Sequence, residues 1–520
     1  VEARDWASGT SSRSSKLIHG GLRYLEMLDF GLVREALRER GLLLRQLAPH
    51  LVRPVPFLFP LQHRGWERLY VGAGVALYDT MALASGAKQG IPSHRHLSRG
   101  RALDRAAELR PDALVGAIQY WDAQVDDARY TMTLVRTAAH YGAIAANRTE
   151  VTAYVRDGER VVGAELHDLE SGERFTVRAR RVVNATGVWS GTASRLANAD
   201  SGPQVRASKG VHILVPRGRL ELDSGLILRT ARSVLFVIPW REHWIVGTTD
   251  TDWQLDRGRP AASAADIGYL LDEVNRVLRR PLTTADIVGV YVGLRPLVSS
   301  TATETTKTSR EHVVDVPVPG LVTVAGGKYT TYRVMAADAV DAAVRDLDTS
   351  VPASCTADVP LVGAIGFRAL WNRRASLALE SGLNAEQVES LLTRYGDRTP
   401  ELLSGLADDP RGAQPLPGSS HLLGEIGYAA THEGARHLDD VLARRTHISI
   451  ESWDRGVSAA PAAAEEMARH LGWDQATVDR EVRTYLERVR TERVSQAQPD
   501  DSTADAARRQ SREILPPAWA

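Results

Sequence analysis

The sequence predicts an α/β protein whose strand-rich middle is followed by an all-helical C-terminal part. Three observations support this. Residues 149–187 read as a three-stranded meander running into a short apolar strand, with turn signals at Asp157-Gly158 and Ser171-Gly172. Residues 205–250 hold more strands, "GVHILVP", "SVLFVIPW" and "HWIVGTTDT", and the alternation of Val211, Ile213 and Val215 points to an antiparallel sheet. After about residue 350 the periodicity is helical, as in "NAEQVESLLTRYG" and "EIGYAATHEGARHLDDVLARR".

The remaining elements follow in order. Phe30, Val33, Leu37, Leu44 and Leu47 recur at helical spacing over 30–48, and Pro49 marks the end. "RPVPFLFPL", 53–61, is extended. Residues 69–86 read as a buried helix, or as one lying against a membrane surface; Asp79 and the glycines argue against a span. A helix is expected over 266–278, a strand over 286–298, and strand, glycine turn and helix over 320–344. The stretch from "SQAQPDDSTADAARRQ" onward is polar and expected to be disordered.

Bulk properties exclude some classes. The chain has 520 residues, of which 43% are hydrophobic, with Lys+Arg and Asp+Glu both at 64. A zero net charge argues against a general nucleic-acid binder. The single Cys355 cannot form an internal disulfide, and no Cys/His cluster has zinc-like spacing, so no metal is expected and a reducing, cytoplasmic setting fits.

Four motifs point to chemistry. "SSRSSKLIHGGLRYLE", 11–26, places small residues beside His19, Arg23 and Tyr24, so a flat or phosphorylated ligand can approach the backbone. "NATGVW", 184–189, ends a strand in a small-residue turn, where α/β folds bind nucleotides. "GGKYTTYR", 326–333, is a glycine turn at a helix start with Lys328 adding a full positive charge. "GLRPL" supplies Arg295 and "TSR" supplies Arg310; several such cations gripping one dianion would suit a phosphate monoester. Taken singly, each also reads as ordinary structure: a Ser-rich helix start, a strand end, a capped helix or surface arginines.

In order along the chain, "GTSSRSSKLIHGGLRYLE", "ALRERGLLL", "APHLVRPVPFLFPL", "VDDARY", "NATGVW", "KGVHILVP", "FVIPW", "GTTDTD", "GLRPL" and "GGKYTTYR" resemble the FAD-dependent, aerobic glycerol-3-phosphate dehydrogenases over residues 1–490. The resemblance implies a glutathione-reductase-like FAD domain (1–60, 120–200 and 286–348, its first βαβ unit largely missing), an antiparallel-sheet substrate domain (61–119 and 201–285) and an all-α C-terminal domain (349–495); the polar composition beyond it gives a disordered tail (496–520). It implies oxidation of sn-glycerol 3-phosphate to dihydroxyacetone phosphate, electrons passed to a membrane quinone, and peripheral contact with the inner face of the cell membrane. A homodimer is left open. By position, His19 and Arg295 match the catalytic pair, and Arg23, Tyr24, Arg310 and Lys328 match the substrate pocket. Glu2, Thr10, Ser11, Ser14, Gly20, Gly187, Trp189, Gly247, Gly327 and Thr330 match positions near FAD.

The family begins with a strand, a GxGxxG turn, a helix and a second strand ending in an acidic ribose partner. Here only the end of that unit is found, in "VEARDW" with Glu2 as the acidic residue; "GAGVAL", 72–77, has Leu77 where the third glycine belongs. The chain is therefore expected to lack about 30 residues of that unit and to hold FAD poorly as it stands. Rival readings are a glycerol-3-phosphate oxidase using oxygen, an amine-oxidising relative, and a flavin-free binding or regulatory remnant. His19 is the expected general base, since an unperturbed imidazole titrates near about 6.5.

Overall fold

The fold is organised around one long strand, Val205–Pro216, in a ten-stranded sheet. We describe it from a computed structural model covering residues 1–21, 23–26, 28–84, 91–198, 202–230, 234–298 and 312–518. On one edge the strand pairs antiparallel with His243–Gly247 and Thr251–Trp253, and on the other with all of Gly289–Val298. From Val211 onward its residues alternate between two cores, which is why that end is apolar apart from His212. Val211, Ile213 and Val215 pack with Leu235, Val237, Leu270 and Val274. Leu214 faces the other way, with Ile238, Ile245, Phe57 and Tyr120. The helix Ala264–Asn275, started by a Ser263/Asp266 capping box, covers the first core. Helices Phe30–Leu42 and Trp66–Ala84 cover the second through Val33, Leu37, Val71 and Val75.

The sheet also takes in Arg53–Leu61, Gly116–Gln124 and the short strand Leu17–Ile18. It thus draws strands from segments expected in two different units. A separate three-stranded sheet runs in the order His312–Val318, Leu321–Gly326, Val182–Asn184, with the last two parallel. Val182–Asn184 is less buried than its apolar sequence suggests: as the edge of that sheet it leaves Val183 exposed. The meander is formed as expected by Thr149–Asp157, Arg160–Asp168 and Arg174–Arg178.

Two helical cores complete the chain, one around Leu391, Leu392 and Leu402, the other around Ile426, Val441 and Met467. Buried ion pairs fix them to the first part: Arg445 and Arg444 to Asp5 (2.8 and 2.5 Å), Arg148 to Asp440 (2.6 Å), and Arg129 to Glu433.

The disordered tail expected over 496–520 is not what the structure shows. Asp501–Arg508 is a helix, capped by Asp500. Ala504 is buried with Trp253, Ala261 and Leu294, and Asp501 meets the sealed Lys209 ammonium at 2.5 Å. The polar composition hid a face of small alanines and a buried lysine that needed a carboxylate. Glu513 then pairs with Arg4 (3.1 Å) and Arg259 (3.4 Å), and the Ala518 amide donates to Glu150.

His437 joins the meander to the C-terminal helices through Glu170 (3.1 Å) and Glu481 (2.9 Å). Burial opposes its charge, but hydrogen bonds to the two glutamates and the nearby Asp440 outweigh it and push the pKa up to about 9. A pKa raised on folding stabilises fully below the unfolded value and is lost as pH rises through the folded one. The melting temperature is therefore expected to fall between about pH 6.5 and pH 9, and His437→Gln to flatten that slope in thermal melts across the range.

Candidate active site

Residues 10–24 run onto the edge of the ten-stranded sheet and border two groups of side chains that include cations. The anchor is buried. The Ser14 amide and hydroxyl donate to Asp127 Oδ2 (2.9 and 2.7 Å), and Lys16 Nζ meets Asp127 Oδ1 at 2.5 Å, with both side chains fully enclosed. Asp127 opens the helix Asp127–His140, whose N-terminal dipole favours its charge. Leu17 and Ile18 then pair with Gln124 and Ala123. Ser14, expected beside the flavin, thus spends its hydroxyl on this anchor.

Upstream and beside the anchor lies the first group. Thr10 Oγ1 donates to the Leu294 carbonyl (2.6 Å), next to Arg295. Arg295 donates to Thr248 Oγ1 (3.0 Å), the Thr249 carbonyl (3.2 Å), Ser208 Oγ (3.3 Å) and Asp250 (3.3 Å). Ser15 Oγ contacts His212 Nε2 at 2.9 Å, and the His212 ring stacks on Tyr291 at 4.6 Å and 7°. Gly247 lies against the same ring; a Cβ there would sit 2.4 Å from His212 Cδ2. Burial first, then the charges of Arg295 and Lys16, hold the His212 pKa well below its usual value, so the ring is neutral. Its Nδ1 is buried with no hydrogen-bond partner among the described residues.

Downstream lies the second group. Thr330 Oγ1 accepts from the His19 amide (3.2 Å) and donates to the His19 carbonyl (3.3 Å). Lys328 Nζ sits 3.5 Å from the centre of the Tyr24 ring, and Gly21, at φ +77°, lies against that same ring. Gly20 serves packing: its amide donates to Tyr78 Oη (2.8 Å), and a Cβ would strike Tyr78 and Leu37. Tyr78 in turn donates to Asp122, which pairs with Arg40 at 2.6 Å.

The turns that follow the parallel strands are bare backbone. Gly187, Gly326 and Gly327 have φ of +60°, +77° and +80°, a region that suits glycine. A Cβ at Gly187 would meet open space. Trp189 packs under Gly9, with the Arg4 guanidinium 5.6 Å from its ring centre. The Glu2 backbone pairs with Ala146 and Thr149, its carboxylate accepts from the Arg4 amide (2.9 Å), and burial raises its pKa. Ser11 lies in the short turn Thr10–Ser12 with Thr10. Arg310 and the Arg23 side chain lie outside the described residues.

Sequence reasoning missed His212. The signal was present in "KGVHILVP", where a lysine and a histidine interrupt a run that is otherwise apolar and buried on both faces.

Glycine turns after parallel strands, in a chain that also presents grouped cations and a neutral buried imidazole, are the features of a flavin-type oxidoreductase site. The comparisons agree. Residues 1–333 match the family model described as FAD dependent oxidoreductase, and residues 354–478 match the C-terminal domain of alpha-glycerophosphate oxidase. Glycerol-3-phosphate dehydrogenase 2 of Mycobacterium tuberculosis is 54% identical over 511 residues, covering 98% of this chain and 86% of that protein. The mitochondrial glycerol-3-phosphate dehydrogenase of Bos taurus is 37% identical over 508 residues, covering 93% and 68%. The Bacillus halodurans glycerol-3-phosphate dehydrogenase, crystallised with FAD, superposes with a TM-score of 0.75 at 27% identity over 94% of this chain and 88% of that one. The chain belongs to the FAD dependent oxidoreductases and, within them, to the glycerol-3-phosphate dehydrogenase family.

The residues present fit FAD: the turn at Gly187 opens on free space, the Gly326-Gly327 turn is bare backbone at positive φ, and the Glu2 backbone pairs with Thr149 at the start of the strand Thr149–Asp157. His212→Phe keeps the stack on Tyr291 and removes both ring nitrogens. With His19 as the base it is expected to leave the melting temperature nearly unchanged and to lower turnover by less than about tenfold in steady-state kinetics; a loss of about 100-fold or more would assign the proton to His212.

Proposed function

We propose that the chain oxidises sn-glycerol 3-phosphate to dihydroxyacetone phosphate and delivers the electrons to a quinone at a membrane surface. The observation behind this reading is that one segment, residues 10–24, borders both cation groups: Arg295 through Thr10, and Lys328 through Tyr24 and Gly21. A three-carbon phosphoester needs one grip at its phosphate and another at the oxygen being oxidised. Relatives 54% and 37% identical bear the name glycerol-3-phosphate dehydrogenase.

FAD, when bound, supplies the acceptor for the hydride that leaves C2. Gly187, Gly327, Thr330 and Glu2 would hold it. Lys328 and Tyr24, with Arg23 and Arg310, hold the phosphate dianion. Arg295 polarises the C2 oxygen and stabilises the negative character it gains. His19 takes the hydroxyl proton, so that loss of proton and hydride together leaves the ketone. A second reading assigns the proton to His212, whose neutral ring and unpartnered Nδ1 favour it. His19→Asn is expected to abolish turnover of glycerol 3-phosphate with flavin retained; normal turnover would move the base to His212. With oxygen as sole acceptor, hydrogen peroxide is expected to stay far below the turnover seen with a quinone analogue. Stoichiometric peroxide would make the protein an oxidase.

Membrane contact is supported by the helix Trp66–Ala84. Val71, Val75 and Tyr78 face inward, while Trp66, Leu69, Tyr70, Leu77 and Leu83 form an exposed apolar stripe, Leu69 being 75% exposed. No helix among the described residues is long and apolar enough to cross a membrane. Leu69→Glu with Leu83→Glu is expected to reduce co-sedimentation with anionic lipid vesicles at least tenfold, while turnover with a soluble acceptor is kept.

A further inference from the structure

A cluster of arginines away from the glycine turns is left short of negative charge. A cavity of about 70 Å3 lies between the Ser12-Arg13 segment, the strand Gly289–Val298 and the C-terminal helices. Its charged lining is Arg13, Arg444, Arg488 and Arg508 against a single carboxylate, Glu492. A second cavity, of about 90 Å3, shares the same four arginines, so they stand where two chambers meet.

The carboxylates nearest them are already divided between two guanidiniums, and Glu481, which lines the second cavity, is taken by His437 (2.9 Å). Glu492 accepts from Arg488 (3.1 Å) and Arg508 (2.7 Å). Asp439 is shared by Arg444 (3.1 Å) and Arg488. Asp440 is shared by Arg148 and Arg444, both at 2.6 Å, and Asp5 by Arg444 and Arg445. The Arg13 side chain has no carboxylate partner among the described residues; its guanidinium makes one long hydrogen bond there, 3.5 Å, to the Val292 carbonyl. Burial, and the charges of Arg488, Arg444 and Arg508, push its pKa down to about 9. A half-buried guanidinium with that surplus of positive charge around it is costly unless a counter-charge enters.

We propose that this cavity is a second anion site, distinct from the substrate pocket, which binds inorganic phosphate or a tetrahedral oxyanion of like size between Arg13, Arg488 and Arg508. The volume suits it: several times the roughly 10–15 Å3 that one water requires, and too small for a nucleotide. Phosphate offers the bidentate acceptor geometry that guanidinium groups recognise. Its effect would be felt at the active site, because Tyr291, which lines the cavity, stacks on His212 and donates to the Ser14 carbonyl (2.9 Å).

The test is calorimetric titration of the FAD-loaded chain with inorganic phosphate. Two sites per chain are expected. Lys328→Ala should remove one and leave the other; Arg13→Leu should remove the other and leave the first. A single site that Lys328→Ala abolishes, or two sites surviving Arg13→Leu, overturns the proposal. Should Arg13→Leu fail to fold, wild-type crystals soaked in tungstate decide: an anomalous peak in contact with Arg13 supports the site, and an empty cavity refutes it.

Discussion

The buried pair of Lys16 and Asp127 is the constraint on which the rest of the site depends. A lysine ammonium sealed from water is tolerable only with a carboxylate in contact, and breaking such a pair costs about 3–5 kcal/mol. The pair therefore fixes where the chain can pass. With Lys16 held at the start of the Asp127–His140 helix, Leu17 and Ile18 are placed as a strand on the large sheet. Ser15 is delivered to His212, and His19 to Thr330. Two groups of side chains from segments far along the sequence, around 208–295 and 328–330, come within reach of one short segment because that segment has little freedom left.

The same economy of charge runs through the molecule. Carboxylates are placed where they can satisfy two guanidiniums at once, as Asp5 does for Arg444 and Arg445 and Glu513 does for Arg4 and Arg259. These pairs bind the C-terminal helices and the final helix to the first part of the chain. Buried ion pairs add less to net stability than their number suggests, since desolvation offsets most of the Coulomb gain. What they supply is registry: each has one geometry that satisfies it. The helical part thus braces the face of the strand Gly289–Val298 that bears Arg295, and Gly289 is packed so tightly against Ile450 that a Cβ would lie 2.0 Å from its carbonyl oxygen.

Much of this was legible in the sequence, for physical reasons. The alternation of Val211, Ile213 and Val215 identified the central strand because each residue of a two-sided strand must choose a core. Glycines before Lys328 and after Thr186 marked the bare turns, since positive φ suits few other residues. Local pattern could not show what long-range partners do. Ser14 looked like a ligand contact, yet its hydroxyl is bound to a residue 113 positions away. His212 looked like part of a strand, and only the Ser15 and Tyr291 contacts single it out. The last helix was mistaken for a polar tail because its partner, Lys209, lies 292 residues upstream.

The central claim is that Arg295 and Lys328 serve one ligand. A crystal structure of the FAD-loaded chain with dihydroxyacetone phosphate tests it most directly. The account predicts a single bound molecule whose phosphate contacts Lys328 and whose C2 oxygen contacts Arg295. A product molecule held by Lys328 alone, with Arg295 turned to the Thr248 and Asp250 contacts and away from it, would contradict the account.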